Sequence, residues 1–146
     1  MQVGIAAVPF GKSGHKGKIY PKSYRGFDDR RIPTKEVFQE MIRISKNQVI
    51  FGGNYFTEHL PASSCWLVWD KDNAESFFAD CELAWTNLDI AVRKFRYRWQ
   101  GMLQENMKDK EIRVHPTQKP LELMKWCIEL VKFQPQTILD PFMGSG

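Results

Sequence analysis

The sequence has few cysteines and no long apolar run. Among its 146 residues are three cysteines without a Cys-x-x-Cys pair, so a zinc site or a disulfide framework is disfavoured. We expect Cys65, Cys81 and Cys127 to be buried free thiols. No apolar run reaches the roughly 18 residues of a membrane span, and the amino end lacks the basic-then-apolar pattern of a secretory signal. These absences favour a cytoplasmic protein with neither a membrane-spanning segment nor a metal site.

Charge is distributed unevenly along this chain, whose composition of 42% hydrophobic and 26% charged residues suits one globular domain. The net charge is +4, yet residues 9–31 contain seven Lys and Arg against two acids, and residues 93–113 contain seven against three. The rest of the chain is therefore acidic. Two basic segments on an acidic body favour a polyanionic partner, because phosphate contacts dominate non-specific affinity for nucleic acid. A solvated charged surface would have the same composition.

The last 32 residues hold the most specific pattern. Pro120 suits the first position of a helix, and apolar residues then recur at helical spacing up to about Phe133. Thr137 to Leu139 predict a short buried strand that ends in Asp140. Gly144 and Gly146 follow and allow a close backbone approach to a ligand. A strand, an acid and a Gly-x-Gly turn indicate a nucleotide-type cofactor, although an ordinary turn after an edge strand has the same pattern.

The motif His115-Pro116-Thr117-Gln118-Lys119-Pro120 upstream of Asp140-Pro141-Phe142-Met143-Gly144-Ser145-Gly146 is more specific. Together the two motifs resemble the amino-methyltransferases of DNA whose cofactor motif follows the catalytic motif, and the chain agrees with that resemblance from about Asp28 onward. The resemblance implies S-adenosylmethionine as cofactor and double-stranded DNA as partner. It implies that the cofactor is held by Asp140, Pro141, Phe142, Gly144, Ser145 and Gly146, with His115, Thr117, Gln118, Lys119 and Asn54 on the other side of the pocket. We expect His115 to position the cofactor, since its sequence neighbours offer no acid to orient it as a base.

The middle of the chain alternates helix and strand patterns. Thr34 can cap a helix with one broad apolar face up to Ile44, and Gln48 to Phe51 predict a strand. Gly52-Gly53-Asn54 at the end of that strand forms either a tight turn or a ligand contact. A short helix over 55–60 and strands over 65–69 and 77–85 follow. The resemblance places Trp69 and Lys71 near the target-base pocket, where Trp69 would stack on an extruded base, although a core role is more common for tryptophan.

Basic residues alternate with aromatic residues in the stretch from Arg93 to Trp99. A strand with one face packed and the other on phosphates has this pattern, and 100–112 is expected to be a loop or a short target-recognition element. The predicted DNA contacts are Arg93, Lys94, Arg96, Arg98, Lys108, Lys110 and Arg113.

The amino-terminal stretch 9–31 has the composition of a basic mobile loop. Gly11-Lys12-Ser13 within it matches a relaxed phosphate-loop pattern and so raises a nucleotide triphosphatase as an alternative. Gly14, Gly17 and Pro21 disfavour the helix that such a loop needs.

The order of these elements predicts an α/β fold: an open, mostly parallel, Rossmann-like methyltransferase sheet with helices on both faces, incomplete at both ends. Residues 1–146 would form a single partial methyltransferase domain. The family's catalytic motif, Asp-Pro-Pro-Tyr, is absent and is expected just before Met1, and the strand between those of Val49 and Ile138 is expected to be missing. The predicted function is therefore that of a fragment of an enzyme that methylates an exocyclic amino group, adenine N6 ahead of cytosine N4. The alternative is a non-catalytic DNA-binding remnant.

Overall fold

A computed structural model describes residues 2–7, 32–73, 79–100, 103–114, 117–131 and 137–143. It is an α/β fold in which a six-stranded mixed sheet has the order β5-β3-β4-β2-β1-β8. The sheet strands are β1 (Gln2–Ala7), β2 (Asn47–Phe51), β3 (Trp66–Asp70), β4 (Cys81–Thr86), β5 (Arg93–Arg96) and β8 (Thr137–Leu139). The helices are α1 (Lys35–Ile44) and α2 (Leu121–Glu129), and a small hairpin joins β6 (Trp99–Gln100) to β7 (Leu103–Gln104). No helix in the described ranges is long and apolar enough to cross a membrane.

Five of the six strands in the main sheet share one direction. β1 pairs in parallel with β2 and with β8, and β3 pairs in parallel with β5. β4 lies between β2 and β3 and is antiparallel to both. The carboxyl ends of the five co-directional strands therefore lie at one edge of the sheet, which we call the carboxyl edge.

The expectation of a missing strand is wrong. β1 fills the position between β2 and β8, with Ile5 opposite Val49 and Val3 opposite Ile138. Its sequence gives a weak strand pattern because it carries a glycine, Gly4, in its interior. The segments 8–31 and 144–146, which include the predicted mobile loop and the phosphate-loop-like Gly11-Lys12-Ser13, lie outside the described residues.

The two helices pack on opposite faces of the sheet. Val49 and Phe51 of β2 share one buried cluster with Leu123 and Cys127 of α2. Ile50, the residue between them, belongs to a second cluster that contains side chains of α1. Successive side chains of a strand point to opposite faces, so β2 contributes to both cores.

Most predicted elements are present, with shifted ends. Thr34 occupies the N-cap position of α1 as expected, although its side chain makes no capping hydrogen bond. Pro120 lies one position before the first residue of α2. The helix predicted over 55–60 is wrong, because the chain forms a single 3-10 turn at Gly53–Tyr55 instead. Part of the stretch expected to be a loop forms the β6–β7 hairpin.

All three cysteines are free, and the expectation of burial holds for two of them. Cys65 and Cys127 are buried, whereas Cys81 is exposed at the start of β4. Burial raises the pKa of the Cys127 thiol to about 12, which keeps it protonated and unreactive. Within the described ranges no group of three His, Cys, Asp or Glu side chains is arranged to hold a metal ion.

The glycine pair after β2 has a structural explanation. Gly52 has φ 72°, in the left-handed region, and its N–H donates to the Leu83 carbonyl at 2.8 Å. Gly53 lies against β4, where a β-carbon would come within 2.5 Å of Trp85 Cβ. Both glycines are therefore needed to turn the chain tightly at the carboxyl edge.

We expect Gly53→Ala to destabilise the fold by about 1–3 kcal/mol, because the added methyl group meets Trp85 backbone and Cβ atoms that have little freedom to move. Gly52→Ala should cost about 1 kcal/mol through its positive φ, and Gly52→Asn less, since asparagine tolerates this region. Urea unfolding measures all three variants. A Gly53→Ala midpoint equal to that of the unaltered chain would contradict the close approach.

Candidate functional site

The carboxyl edge brings together residues that the sequence places far apart. The turn Gly52 to Asn54 follows β2, Lys71 follows β3, and Asp140 follows β8. Only β1 separates β2 from β8, so the ends of these two strands are two strand spacings apart, about 10 Å. In open α/β sheets, ligands bind in the crevice outside the carboxyl ends of the strands.

One carboxylate at this edge is shared by two lysines. Glu82 Oε1 lies 2.6 Å from Lys71 Nζ, and Glu82 Oε2 lies 3.0 Å from Lys119 Nζ. The lysine side chains are 17% and 14% exposed, which is unusual for lysine without a partner. We call Lys71, Glu82 and Lys119 the lysine–glutamate bridge.

The electrostatics of the bridge favour the ionised carboxylate. Burial alone would raise the pKa of Glu82, but the two ammonium groups, Lys119 and Lys71, outweigh it and lower the pKa below its ordinary value. Each lysine also lies over an aromatic ring: Lys71 Nζ is 5.1 Å from the centre of Trp69, and Lys119 Nζ is 5.5 Å from that of Phe51. These contacts add cation–π attraction to the ion pairs.

The bridge joins two regions that the sequence assigned to different parts of the site. Lys119 belongs to the predicted cofactor segment, and Lys71 to the predicted base pocket. No sequence pattern identifies Glu82 as the common partner of these two lysines. The sequence shows only that Glu82 is an acid within the apolar pattern of β4, and such a pattern does not identify the partner of an acid.

The predicted cofactor segment is also tied to the β6–β7 region. The Gln118 side chain accepts a hydrogen bond from Val114 N–H at 2.8 Å, and the Gln118 carbonyl accepts one from Trp99 Nε1 at 3.0 Å. The Glu111 carboxylate accepts the Leu121 N–H at 3.1 Å and so caps the start of α2. Gln118 thus holds the loop before it, a role that its motif does not reveal.

Asp140 is partly buried where β8 ends. Its Oδ1 accepts the Phe142 N–H at 2.9 Å, and burial raises the pKa of its carboxyl group despite that hydrogen bond. Phe142 packs against the cluster that contains Phe38 and Trp85. A carboxylate that is partly desolvated at the mouth of a sheet crevice is a candidate for binding a cationic ligand.

Several other predicted cofactor residues are exposed or lie outside the described residues. Pro141, Thr117 and Asn54 are exposed, and Asn54 lies in the 3-10 turn. His115, Gly144, Ser145 and Gly146 lie outside the described residues. The predicted contacts of all these residues with a cofactor stay predictions.

Trp69 lies in the core. It is 2% exposed, and its Nε1 donates to the Tyr97 carbonyl at 3.0 Å. This hydrogen bond satisfies the indole N–H and favours the core role over stacking on a base.

The alternation predicted for the basic stretch is present in the structure. Phe95 stacks on Tyr97 at 5.7 Å and on Trp126 of α2 at 5.1 Å between ring centres. The intervening cations point away from these rings and pair with acids: Lys94 with Asp70, and both Arg96 and Arg98 with Asp72.

The other predicted DNA contacts differ in their surroundings. The Arg93 guanidinium donates to the Val92 carbonyl at 3.3 Å, and the Arg113 guanidinium lies 5.5 Å from the centre of the Trp99 ring. Lys108 and Lys110 are exposed on the loop after β7. The seven cations therefore do not form one uniform surface.

Comparison with known proteins identifies the family. The profile of a DNA methylase family of N6 and N4 enzymes matches residues 15–146, and the chain belongs to this family. The type II methyltransferase M.HindIII of Haemophilus influenzae is 59% identical over 32 residues, which make up 22% of this chain and 10% of that protein. The match thus spans about a tenth of the relative's length. No solved structure matches the chain. The resemblance to DNA amino-methyltransferases is confirmed at the level of the family.

We expect Glu82→Gln to destabilise the fold by about 1–3 kcal/mol at neutral pH, because it leaves two largely buried ammonium groups without a counter-charge. A depressed carboxyl pKa stabilises the fold above the ordinary value of 4.5, and this stabilisation is lost as the pH falls through the lower folded value. The difference between the two proteins should therefore shrink in acid.

Urea unfolding at neutral and at acidic pH measures this difference. The control is Glu40→Gln, which removes the same charge from an exposed pair with Arg43 and should cost much less than Glu82→Gln. Equal losses in the two variants would show that the lysine–glutamate bridge does not stabilise the fold.

Proposed function

We propose that the chain is part of an S-adenosylmethionine-dependent DNA methyltransferase that modifies an exocyclic amino group of an extruded base. Adenine N6 is favoured over cytosine N4, and the sheet is proposed to be the Rossmann-like sheet of that enzyme class. One observation carries the proposal: the carboxyl edge gathers Asp140, the turn at Asn54 and the anchored Lys119 segment. Family membership supports it. A type II methyltransferase acts within restriction-modification, and we extend that role and a cytoplasmic location to this chain.

The chemistry of Asp140 fits the cofactor. When bound, S-adenosylmethionine would supply a methyl group on a positively charged sulfur, next to a cationic amino group. A carboxylate with a raised pKa gains from a cationic neighbour, since the opposite charge offsets its desolvation. Asp140 and the backbone that follows it would hold the cofactor, together with Phe142 and the turn at Asn54.

Lys119 has a different proposed role from direct cofactor contact. Its ammonium group is 3.0 Å from Glu82 and lies 5.5 Å from the centre of the Phe51 ring. Lys119 would therefore fix the turn that forms the second wall of the pocket, while Gln118 fixes the loop before it. Catalysis by orientation depends on such rigid supports, because misplacement by about 1 Å can cost about a hundredfold in rate.

The position of β1 bears on the catalytic motif. Its carboxyl end lies at the same edge, between the strands that lead to Asn54 and Asp140. The sequence there reads Ala7-Val8-Pro9-Phe10, of which 8–10 lie outside the described residues. We infer that this stretch corresponds, by its order along the chain, to Asp-Pro-Pro-Tyr. It keeps a proline and an aromatic residue but lacks the acid that would accept a hydrogen bond from the target amino group.

A non-catalytic DNA-binding remnant of the same family is the second candidate. It is supported by the exposed cations of β5. It is also supported by Ala7, which stands where the family motif has an acid. Both candidates bind DNA, so only cofactor binding and methyl transfer separate them.

We expect Asp140→Asn to weaken S-adenosylmethionine binding at least tenfold, about 1.4 kcal/mol, with no loss of stability at neutral pH. A raised carboxyl pKa makes the ionised group a cost to the fold above its ordinary value of 3.8, and asparagine removes that cost while keeping the oxygen that accepts the Phe142 N–H. Equilibrium dialysis with labelled cofactor and thermal unfolding measure the two effects. Asp109→Asn, at an exposed acid on the loop after β7, is the control. Unchanged cofactor binding in Asp140→Asn would remove Asp140 from the site.

We expect residues 1–146 alone to transfer no methyl group to unmethylated DNA, because Ala7 has no side-chain oxygen to accept the hydrogen bond that keeps the target nitrogen reactive. Transfer of tritium from labelled cofactor measures the reaction, with a complete methyltransferase of the family as positive control. Turnover by the chain would show that the reaction does not need an acid at this position.

A further inference from the structure

The edge strand β5 presents a row of cations on the face opposite α2. Lys94 and Arg96 alternate with Phe95, and Arg98 continues the row beyond the end of the strand. Their side chains are 64%, 65% and 47% exposed. Phe95 anchors the other face of the strand on Trp126 of α2. The strand therefore holds its cations on a fixed backbone at the surface.

Two carboxylates meet this row. Arg96 Nη2 lies 2.8 Å from Asp72 Oδ1, and Arg98 Nη2 bonds the other oxygen of the same carboxylate. Lys94 Nζ lies 3.2 Å from Asp70 Oδ2. The hydrogen bonds from Arg96 and Arg98 lower the pKa of Asp72, so it is ionised at neutral pH. Three cations facing two carboxylates leave this row with a small net charge.

Asp72 takes this position in an uncommon backbone conformation. Its φ is 51°, in the left-handed region, and its N–H donates to Asp70 Oδ1 at 3.0 Å. Such a conformation is unfavourable for most non-glycine residues. The turn after β3 thus directs a carboxylate at the two guanidinium groups.

We propose that Asp72 stands in for a nucleic-acid phosphate: β5 is a phosphodiester-binding surface that Asp72 masks in the free chain. A carboxylate and a phosphate both offer two oxygens that guanidinium groups recognise. Exposed ion pairs contribute little to stability, so a polyanion can replace them, driven by the counterions that it releases. This inference rests on the proposed function, since DNA is the polyanion.

The test is the affinity of Asp72→Asn for a fluorescein-labelled DNA duplex of arbitrary sequence, measured by anisotropy over a range of salt concentrations. Freeing two arginines should strengthen binding about tenfold near 0.1 M salt and steepen the salt dependence by about one to two phosphate contacts. Asparagine tolerates the left-handed region. If Asp72→Asn folds poorly, Asp72→Gly removes the carboxylate and relieves the backbone cost.

The control is Glu40→Gln, which makes the same change in net charge. Glu40 pairs with Arg43 on α1, at 2.6 Å, and α1 packs beside β2, three strands from β5. Its DNA affinity should stay within about twofold of the unaltered chain, as a general charge effect alone is small at this salt concentration. A second control, Asp72→Asn with Arg96→Glu and Arg98→Glu, should lose the gain.

Each outcome decides between the alternatives. Tighter and more salt-dependent binding by Asp72→Asn, lost in the triple variant, supports masking, even where the unaltered chain binds too weakly to measure. Equal or weaker binding by Asp72→Asn overturns it, because Asp72 would then only fasten or orient the strand. If the unaltered chain binds DNA in that case, the proposed function stands. If no variant binds DNA, this inference fails and DNA binding by the chain fails with it.

Discussion

The carboxylate of Glu82 is the constraint on which the carboxyl edge of the sheet depends. Without it, the ammonium groups of Lys71 and Lys119 would lie close together in a partly dry region, where like charges repel strongly. Lys119 begins the turn into α2, and α2 covers one face of the sheet with Leu123 and Cys127. The position of that helix and the shape of the site therefore depend on the same charged group.

Sequence patterns predict the elements that bury one face locally, and they fail where non-local pairing decides. α1, β2, β3 and α2 each have an apolar pattern of the right period, so their existence could be read directly. β8 forms as expected, but Thr137 and Ile138 are exposed, so the prediction that this strand is buried is wrong. β1 has a weak pattern, and it becomes a strand because β2 and β8 supply hydrogen-bonding partners on both sides. The reversed direction of β4 has no signature in its residues, since the connections before and after a strand set its direction.

The candidate site likewise has a part that the sequence predicts and a part that it does not. The family resemblance implies that Asp140 and the Lys119 segment line one pocket, and the strand pattern places Asp140 at a strand end. Neither predicts that Gln118 holds the loop before it, that Glu111 caps α2, or that Glu82 neutralises two lysines. The pair of Glu82 and Lys119 joins residues far apart in the chain, and it is known only once the sheet is assembled. The contacts of Gln118 and Glu111 are local, but they lie in an irregular segment whose backbone no periodic pattern predicts.

The paired charges on β5 also protect the sheet. In the described part of the chain, β5 is the last strand on its side, and an edge strand with free backbone groups invites pairing with another chain. A row of cations with carboxylates between them makes strand addition costly, because a new strand would bury charged groups. A diffusing polyanion meets no such barrier, since it binds the side chains and leaves the backbone edge in water. The same arrangement can therefore exclude a protein strand while it still admits a nucleic-acid backbone.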